Sequence, residues 1–432
     1  MRMSSLRLVL YSSIVPAILL LSISNDQLPQ DFKGWLAAIE AMGQGQNPYQ
    51  ATRFLNWPPF WMMALRVLSA LSTATSLPLM GLFQASMFFT GLLVVLAVRE
   101  LSLAITNSRS VSERVALWGM GANPVWWLIV LFSGNFDVIV SLWHVLAVAA
   151  LVTYVRQGRT ADWLCAAMWI GLGIFTKTIS FVLIPFLLIG ARSVAPRHVA
   201  VALWLVLAPA ALSLGTVMAI DSASINEKVI NYHSVSGWFG MTGWLSMLVS
   251  PSFAARTYPG IFLLLLLSVS MVLARVMPLL GSQLVEPEAG GLEARRASSS
   301  KEIGELLVYG AAFMFLLLPA LGSGFGTHYL LWSWPLLAVA VGLGSRVGRL
   351  FFLLFLVVAG LTIVGMYFCN PAFGPLQLRF GAASFVAAWP GGSSGQAFET
   401  HASTPLFIVL LALLAWLGIM TTRGIQRLLA RH

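Results

Sequence analysis

Apolar residues in this sequence gather into about a dozen blocks of 13 to 22, each closed by a short polar stretch. A helix needs roughly 20 apolar residues to cross a bilayer, and it satisfies its own backbone hydrogen bonds there. The pattern therefore predicts an all-α, polytopic integral membrane protein, a single transmembrane domain over 1–432. The blocks 6–24, 77–98, 115–132, 138–155, 162–176, 178–190, 199–220, 258–277, 304–321, 328–344, 350–368 and 405–422 give about 12 transmembrane helices and put both termini on one side. The first block, though preceded by Arg2 and Arg7, is long and lacks a small-x-small cleavage site, so it reads as a retained anchor.

The stretch 25–76 departs from the block pattern. Phe32, Trp35, Leu36, Ile39 and Met42 recur at helical spacing, which predicts an amphipathic helix over 31–42 lying along the membrane surface. Asp31 stands where an N-cap belongs, and Gly43 and Gly45 stop the helix. A second helix is expected from Pro58 or Pro59 through Leu68, because proline suits the first helical turn. The stretches 221–257 and 369–404 are further loops on the same side, the first with a short interfacial helix over 238–249. On the terminal side, 278–303 is polar and aperiodic and reads as a flexible connector.

Charge orients this arrangement. Of the 25 Lys and Arg residues, 18 fall on the terminal side and 7 on the far side, while the 15 acidic residues divide 8 and 7. The net charge of +10 is thus carried wholly by the terminal side. Retained loops carry the basic excess, so the termini are cytoplasmic, the loop 25–76 is extracytoplasmic, and nucleic acid is not needed as a partner. With 9% charged residues, the chain is excluded from the ordinary soluble class. Cys165 and Cys369 sit in different apolar blocks and read as two inert buried thiols.

The charge rule also decides how 162–190 crosses. One long helix would move Arg192 and Arg197 outside, whereas two short crossings meeting at Thr176-Lys177-Thr178 keep them inside. Arms of 15 and 13 residues reach only about 20 Å as α-helix, which sinks Lys177 below the usual interface, at the bottom of an outward-facing cavity. A lysine there is either a snorkelling anchor or a phosphate contact, with Thr176 and Thr178 supplying hydroxyls.

Other outer-side candidates each carry a plain and a chemical reading. Asp31 is a helix cap or a general base, and capping would hold a base still. Asp26, just past the first crossing, is its competitor. Asn135 and Asp137 in the turn SGNFD cap a helix or bond sugar hydroxyls, and His144 is an intramembrane polar group with a protein neighbour. His328 follows the glycine-rich run 322–326 at a helix start, where anions are favoured. Arg256 opens a crossing as a headgroup anchor or a phosphate clamp. No metal-ligand spacing stands out.

The run Asp31-Phe32, Trp35, Ala37-Ala38, Gly43, Gly45, Asn47-Pro48-Tyr49 and Pro58-Pro59-Phe60 resembles the first outer loop of the GT-C superfamily. These are polytopic glycosyltransferases that use sugars carried on polyprenyl phosphate. The likeness is greatest to the bacterial polyprenyl-phosphate-mannose-dependent mannosyltransferases. In that superfamily an acidic residue after the first helix is catalytic, and a Gly-x-x-Pro-Tyr segment and an Asn/Tyr-x-Pro segment follow. The resemblance implies Asp31 as the catalytic base, Gly45-Gln46-Asn47-Pro48-Tyr49 as the middle segment and Asn56-Trp57-Pro58-Pro59 as the last. The turn Gly134-Asn135-Phe136-Asp137 and His328 also match positions of the family. Asp31 is followed by Phe32 rather than a second acid, so metal use is left open and no cofactor is expected.

The expected function is an inverting transfer of a sugar, mannose by the resemblance, from a polyprenyl-phosphate donor to an extracytoplasmic acceptor hydroxyl on a lipid or glycan. Membrane lipids are the other partners, and the bacterial plasma membrane is the expected location. Lys177, His328 and Arg256 would bind the donor phosphate, and Asp137, Asn135, Tyr49, Trp57 and His233 would contact sugar or acceptor. A lipid or solute transporter and a noncatalytic membrane assembly protein are the alternative readings. The topology is tested by cysteine labelling from the two sides of the membrane: positions 31, 177, 233 and 328 are expected outside, and 109, 192 and 295 inside. Labelling of 31 and 295 from one side would end the model.

Overall fold

The computed structural model describes residues 4–24, 30–52, 57–226, 240–282, 292–322, 326–343, 346–369, 377–378 and 395–430. The chain is an all-α polytopic membrane protein. Seven helices among the described residues are long and apolar enough to cross a membrane, or eight if one bent pair is counted as a span. They are α1 (Ser5–Ser22), α5 (Leu79–Thr106), α8 (Asp137–Gln157), α13 (Tyr258–Ser282), α14 (Leu292–Leu321), α16 (Arg346–Cys369) and α17 (Gly395–Leu429). The bent pair is α6 (Arg109–Ala116), continued by a π-turn over Leu117–Gly121, and α7 (Pro124–Phe132), which meet at 51°. The remaining expected crossings at 162–176, 178–190 and 328–344 fall on apolar helices shorter than a full span, and the one at 199–220 falls on a longer helix whose first part, Pro196–Leu212, is apolar.

The bend in the pair has a local cause. Pro124 cannot donate to the preceding turn, and Asn123 caps the new helix by accepting from the Val125 and Trp126 amides. Carbonyls freed by the π-turn are taken by indoles: Trp334 Nε1 donates to Gly119 at 3.1 Å and Trp127 Nε1 to Gly121 at 2.8 Å.

The stretch 160–190 is a hairpin. Helix α9 (Thr160–Thr176) ends where Lys177 takes an extended conformation, φ −158° and ψ 126°. The chain then returns as a 3₁₀ turn over Thr178–Leu183, the short α10 (Ile184–Leu187) and a second 3₁₀ turn over Leu188–Gly190. Its antiparallel course is fixed by two contacts. Trp163 Nε1 donates to Leu187 O at 2.8 Å, and Ser180 packs against Gly173 so closely that a Cβ on the glycine would meet its Oγ at 2.7 Å. The return arm is stretched, since 3₁₀ rises about 2 Å per residue against about 1.5 Å in α-helix.

The first loop folds as two helices. α2 (Gln30–Gly43) and α4 (Phe60–Thr75) flank a one-turn α3 (Pro48–Ala51) capped by Asn47. Gly45, at φ +71°, makes the left-handed turn after α2. The apolar face of α2 is turned onto the bundle rather than toward lipid: Phe32, Trp35 and Ala38 are all buried. The helix starts at Gln30 rather than after Asp31, so Asp31 lies inside its first turn instead of capping it.

Several other expectations shift. Helix α11 (Pro196–Ile225) runs past the expected crossing, broken only at Asp221, and α12 (Gly240–Leu248) stands where a short helix was expected. Residues 292–303, expected as connector, form the first turns of α14, where the Lys301–Glu305 pair at i, i+4 suits helix. α17 likewise begins at Gly395, inside the expected loop 369–404. Residues Ile23–Ser24 pair antiparallel with Gln377–Leu378, a short β contact that the apolar pattern did not signal. Cys165 is exposed on α9 rather than buried. The last element that bears on the site is α15 (Leu330–Gly342), entered through a 3₁₀ turn over Thr327–Tyr329.

α9 and α11 pack through Gly171, where a Cβ would fall 2.0 Å from the Leu205 carbonyl oxygen, whereas Gly215 has nothing within 4 Å of that position. Gly171→Ala is expected to destabilise the detergent-purified protein by about 1–3 kcal/mol through overpacking. Gly215→Ala is expected to be neutral or to stabilise by up to about 1 kcal/mol. Thermal unfolding of the two variants side by side checks the packing; equal melting temperatures would show that α9 and α11 do not meet as described.

Candidate functional site

Three helix ends converge at the end of the bundle that carries α2 and α4. They are the N-terminus of α8, the break after α9 and the 3₁₀ entry to α15. Asp137 opens α8 and is fully buried. Its Oδ1 accepts from Lys177 Nζ at 2.5 Å and from Trp332 Nε1 at 2.8 Å. Its Oδ2 is buried without a hydrogen-bond partner among the described residues, and His328 Nε2 stands 3.7 Å from it.

Lys177 is 1% exposed, so it does not snorkel. Its ammonium lies 3.6 Å from the ring centre of Trp57, 4.4 Å from that of Trp332 and 5.1 Å from that of Tyr329. One carboxylate and three aromatic faces therefore replace its water. The helix supplies the reason for the geometry of the partners: Trp332 follows His328 by four residues, which puts both on one face at the start of α15.

The turn 133–137 ties this cluster to the first loop. Gly134 takes φ +68°, and Phe136 is thrown into the loop's aromatic core. There it stacks on Trp61 at 4.3 Å and meets Trp57 edge-on at 5.5 Å and Trp35 at 6.0 Å. With Phe136 anchored, its neighbours Asn135 and Asp137 are held on either side. Asn135 Nδ2 donates to Asp31 Oδ2 at 3.3 Å. Asp31 keeps part of its surface open. Protein nonetheless crowds the carboxyl: burial pushes its pKa up to about 6, with Asp137 adding to the rise while the Asn135 bond and Lys177 oppose it.

Asp31, Asn135, Asp137, Lys177, His328 and Trp57 are thus brought together from five separate stretches of the chain. Tyr49 is buried beneath them, and its hydroxyl donates to the Trp57 carbonyl at 2.8 Å, so it braces the Trp57 segment. Thr176 already donates to Leu172 O and accepts from Trp143 Nε1, so its hydroxyl is committed to the hairpin. His144 is occupied by Ser180 at 2.9 Å and stacks on Phe315. Arg256 is exposed in the π-turn before α13 and shares no hydrogen bond or ion pair with the cluster among the described residues. Asp26, Asn56 and His233 lie outside the described residues. Among those described, no group of three His, Cys, Asp or Glu side chains is placed to hold a metal ion.

Two features escaped sequence reading. Trp332 completes the Lys177 enclosure, and the i, i+4 spacing from His328 was its available signal. Asp221, at the break in α11, accepts from the side chains of Asn47 and Gln50 and from the Ser224 amide, fastening α3 to α11. Nothing local marks that contact, because it joins residues about 170 positions apart.

The chain matches no family model and no curated protein. Among solved structures it is similar to ArnT from Cupriavidus metallidurans, in a crystal structure bound to undecaprenyl phosphate. The TM-score is 0.50 at 14% sequence identity, over 99% of this chain and 74% of that one. At that identity the likeness is one of fold.

Proposed function

We propose that this protein is a membrane glycosyltransferase that moves a sugar from a polyprenyl-phosphate donor to an acceptor hydroxyl, with inversion at the anomeric carbon. The observation that carries the reading is the pairing, at one end of the bundle, of a half-buried carboxylate with an enclosed ammonium and a histidine. Asp31 suits a base, and Lys177 with His328 suits a departing phosphate. The fold shared with ArnT, whose structure holds undecaprenyl phosphate, supports a lipid-phosphate donor, and the first-loop resemblance supports mannose as the sugar.

In this mechanism the acceptor oxygen attacks the anomeric carbon while its proton passes to the Asp31 carboxylate. The bond from that carbon to the phosphate oxygen breaks, and the electron pair leaves on polyprenyl phosphate. Asn135 holds Asp31 in place, so the base needs no reorganisation. Trp57 covers Lys177, so a donor phosphate reaches the ammonium only when that ring swings aside. Lys177 then exchanges part of its bond to Asp137 for one to phosphate, and His328 gives a second donor beside it. The site would face the extracytoplasmic side of a bacterial plasma membrane, where a lipid carrier replaces the nucleotide sugar. Asn135, Asp137, Tyr49, Trp57 and His233 remain the proposed surroundings of sugar and acceptor, and Arg256 an outer-end cation.

Asp31→Asn keeps an oxygen for Asn135 and is expected to melt like wild type while losing transfer by a factor of roughly 10² or more. Wild-type turnover is expected to fall about tenfold per pH unit below about pH 6, as the base becomes protonated. The assay is the mass of product formed by reconstituted protein from polyprenyl-phosphate mannose and a membrane extract. A well-folded Asp31→Asn with near-normal turnover would remove Asp31 from the chemistry, and loss in Asp26→Asn instead would shift the base by five positions.

Lys177→Met alone strands a buried carboxylate and is expected to cost about 3–5 kcal/mol of stability. The double variant Asp137→Asn with Lys177→Met removes both charges and is expected to recover much of that stability without recovering use of the donor. Normal donor saturation in the double variant would show that the pair serves only to hold the helix ends.

A further inference from the structure

Helix α3 is a single turn, too short to keep its own shape, so its place is set by the groups that hold it. Asn47 holds it in two directions. Its Oδ1 accepts from the Tyr49 amide at 3.0 Å and caps the turn, while its Nδ2 donates to Asp221 Oδ2 on α11. Gln50, three residues on and so on the same side of the turn, donates from Nε2 to that same oxygen at 3.0 Å. The backbone of Asp221 leaves helical geometry, with φ −152° and ψ 82°, and its Oδ1 accepts from the Ser224 amide at 3.0 Å, capping the last turn of α11. One carboxylate oxygen thus orders α11 and the other holds α3.

The turn passes this hold on through Tyr49, which is buried against Ala38 of α2 and Met62 of α4. Its hydroxyl donates to the Trp57 carbonyl at 2.8 Å. The Trp57 ring lies 3.6 Å from Lys177 Nζ, nearer than either ring from the entry to α15. Phe136 meets that ring edge-on at 5.5 Å, an apolar contact that lets it slide, whereas the bond from Tyr49 fixes the backbone that carries it. A continuous series of contacts therefore runs from Asp221 through Asn47 and Tyr49 to the cover of Lys177.

We propose that Asp221 is a positioning residue: by fixing Asn47, and with it α3, it holds Trp57 over Lys177 and sets how readily that cover opens. The consequence for donor entry rests on the transferase reading. A donor that binds the open form alone has its affinity reduced by the fraction of protein that is open. Weakening the hold raises that fraction and lowers the donor KM. A residue that only stabilised the first loop would leave KM unchanged or raise it when altered.

The test reads the accessibility of Lys177 in the full-length protein without donor. N-hydroxysuccinimidyl acetate is the probe, acetylation of Lys177 is followed by peptide mass spectrometry, and Lys301, exposed on α14, is the internal reference. Asp221→Asn keeps an oxygen for Ser224 but turns an amide donor toward Asn47 and Gln50. It is expected to raise the acetylation rate of Lys177 about tenfold, through loss of the charge-assisted bonds to α3. Exchanging the pair, Asp221→Asn with Asn47→Asp, puts a carboxylate at 47 that can accept from both the Tyr49 amide and the new amide at 221. The exchange is expected to return the rate to within about twofold of wild type. An unchanged rate in Asp221→Asn, or a raised rate that the exchange does not correct, would overturn the proposal. With polyprenyl-phosphate mannose as donor, Asp221→Asn is expected to lower the donor KM several-fold; a KM unchanged or raised beside faster acetylation would overturn the role in donor entry. Absence of transfer by the wild type would count against the transferase reading alone, since acetylation still decides whether Asp221 holds the cover.

Discussion

A lysine taken out of water needs a substitute for every bond it gives up, and the site end of this molecule is organised by that requirement at Lys177. Its carboxylate partner comes from α8, two aromatic faces come from the entry to α15, and the third comes from the first loop. Removing any one element leaves a charge without its solvent. Helix ends that are distant in sequence are thereby made interdependent, which a purely apolar bundle could not achieve, since lipid tails compete equally with any apolar contact. The orientation of the first loop is then secured by Phe136 from the side and Asp221 from behind.

The division of labour between the two carboxylates follows from the same enclosure. Asp137 is sealed and committed to Lys177, and so sets the geometry of a cation. Asp31 is open on one side, bonded by a neutral amide rather than by a cation, and keeps a capacity to gain and lose a proton near neutral pH. Two acids beside one asparagine, Asp31 bonded to Asn135 and Asp137 two residues after it, but in different company, suit different tasks.

Much of this was legible in the sequence, and the limits have identifiable causes. Apolar blocks marked the helices, because a membrane allows few other backbones, and the charge rule correctly favoured a hairpin over one long helix at 162–190. The amphipathic spacing of Phe32, Trp35 and Ile39 located α2 but not what its face would cover, since a face suited to lipid and a face suited to a helix bundle have the same period. Polar residues at helix ends pointed to Asp31, Asn135, Asp137, Lys177 and His328 as candidates. Their mutual contacts were hidden, because nothing in the periodicity of α8 or α9 tells which neighbour a terminal side chain meets. Arg256 shows the cost of that ignorance: it shares the same kind of position and stands outside the cluster. Helix starts at Leu292 and Gly395 were missed where polar composition masked good helix formers.

The hairpin at 160–190 sets a depth as well as a position. Its arms, about 24–26 Å long by helical rise, fall short of a hydrocarbon layer of about 30 Å, and Cys165 and Phe181 leave both arms open on their outer sides. If the hairpin crosses as the charge rule expects, lipid beside it must thin to match, drawing headgroups down toward the level of Lys177. Bilayer thickness then becomes a control on the protein. Longer or more ordered acyl chains make the local dimple costlier, and the same polypeptide would work less readily in a thick membrane than in a thin one.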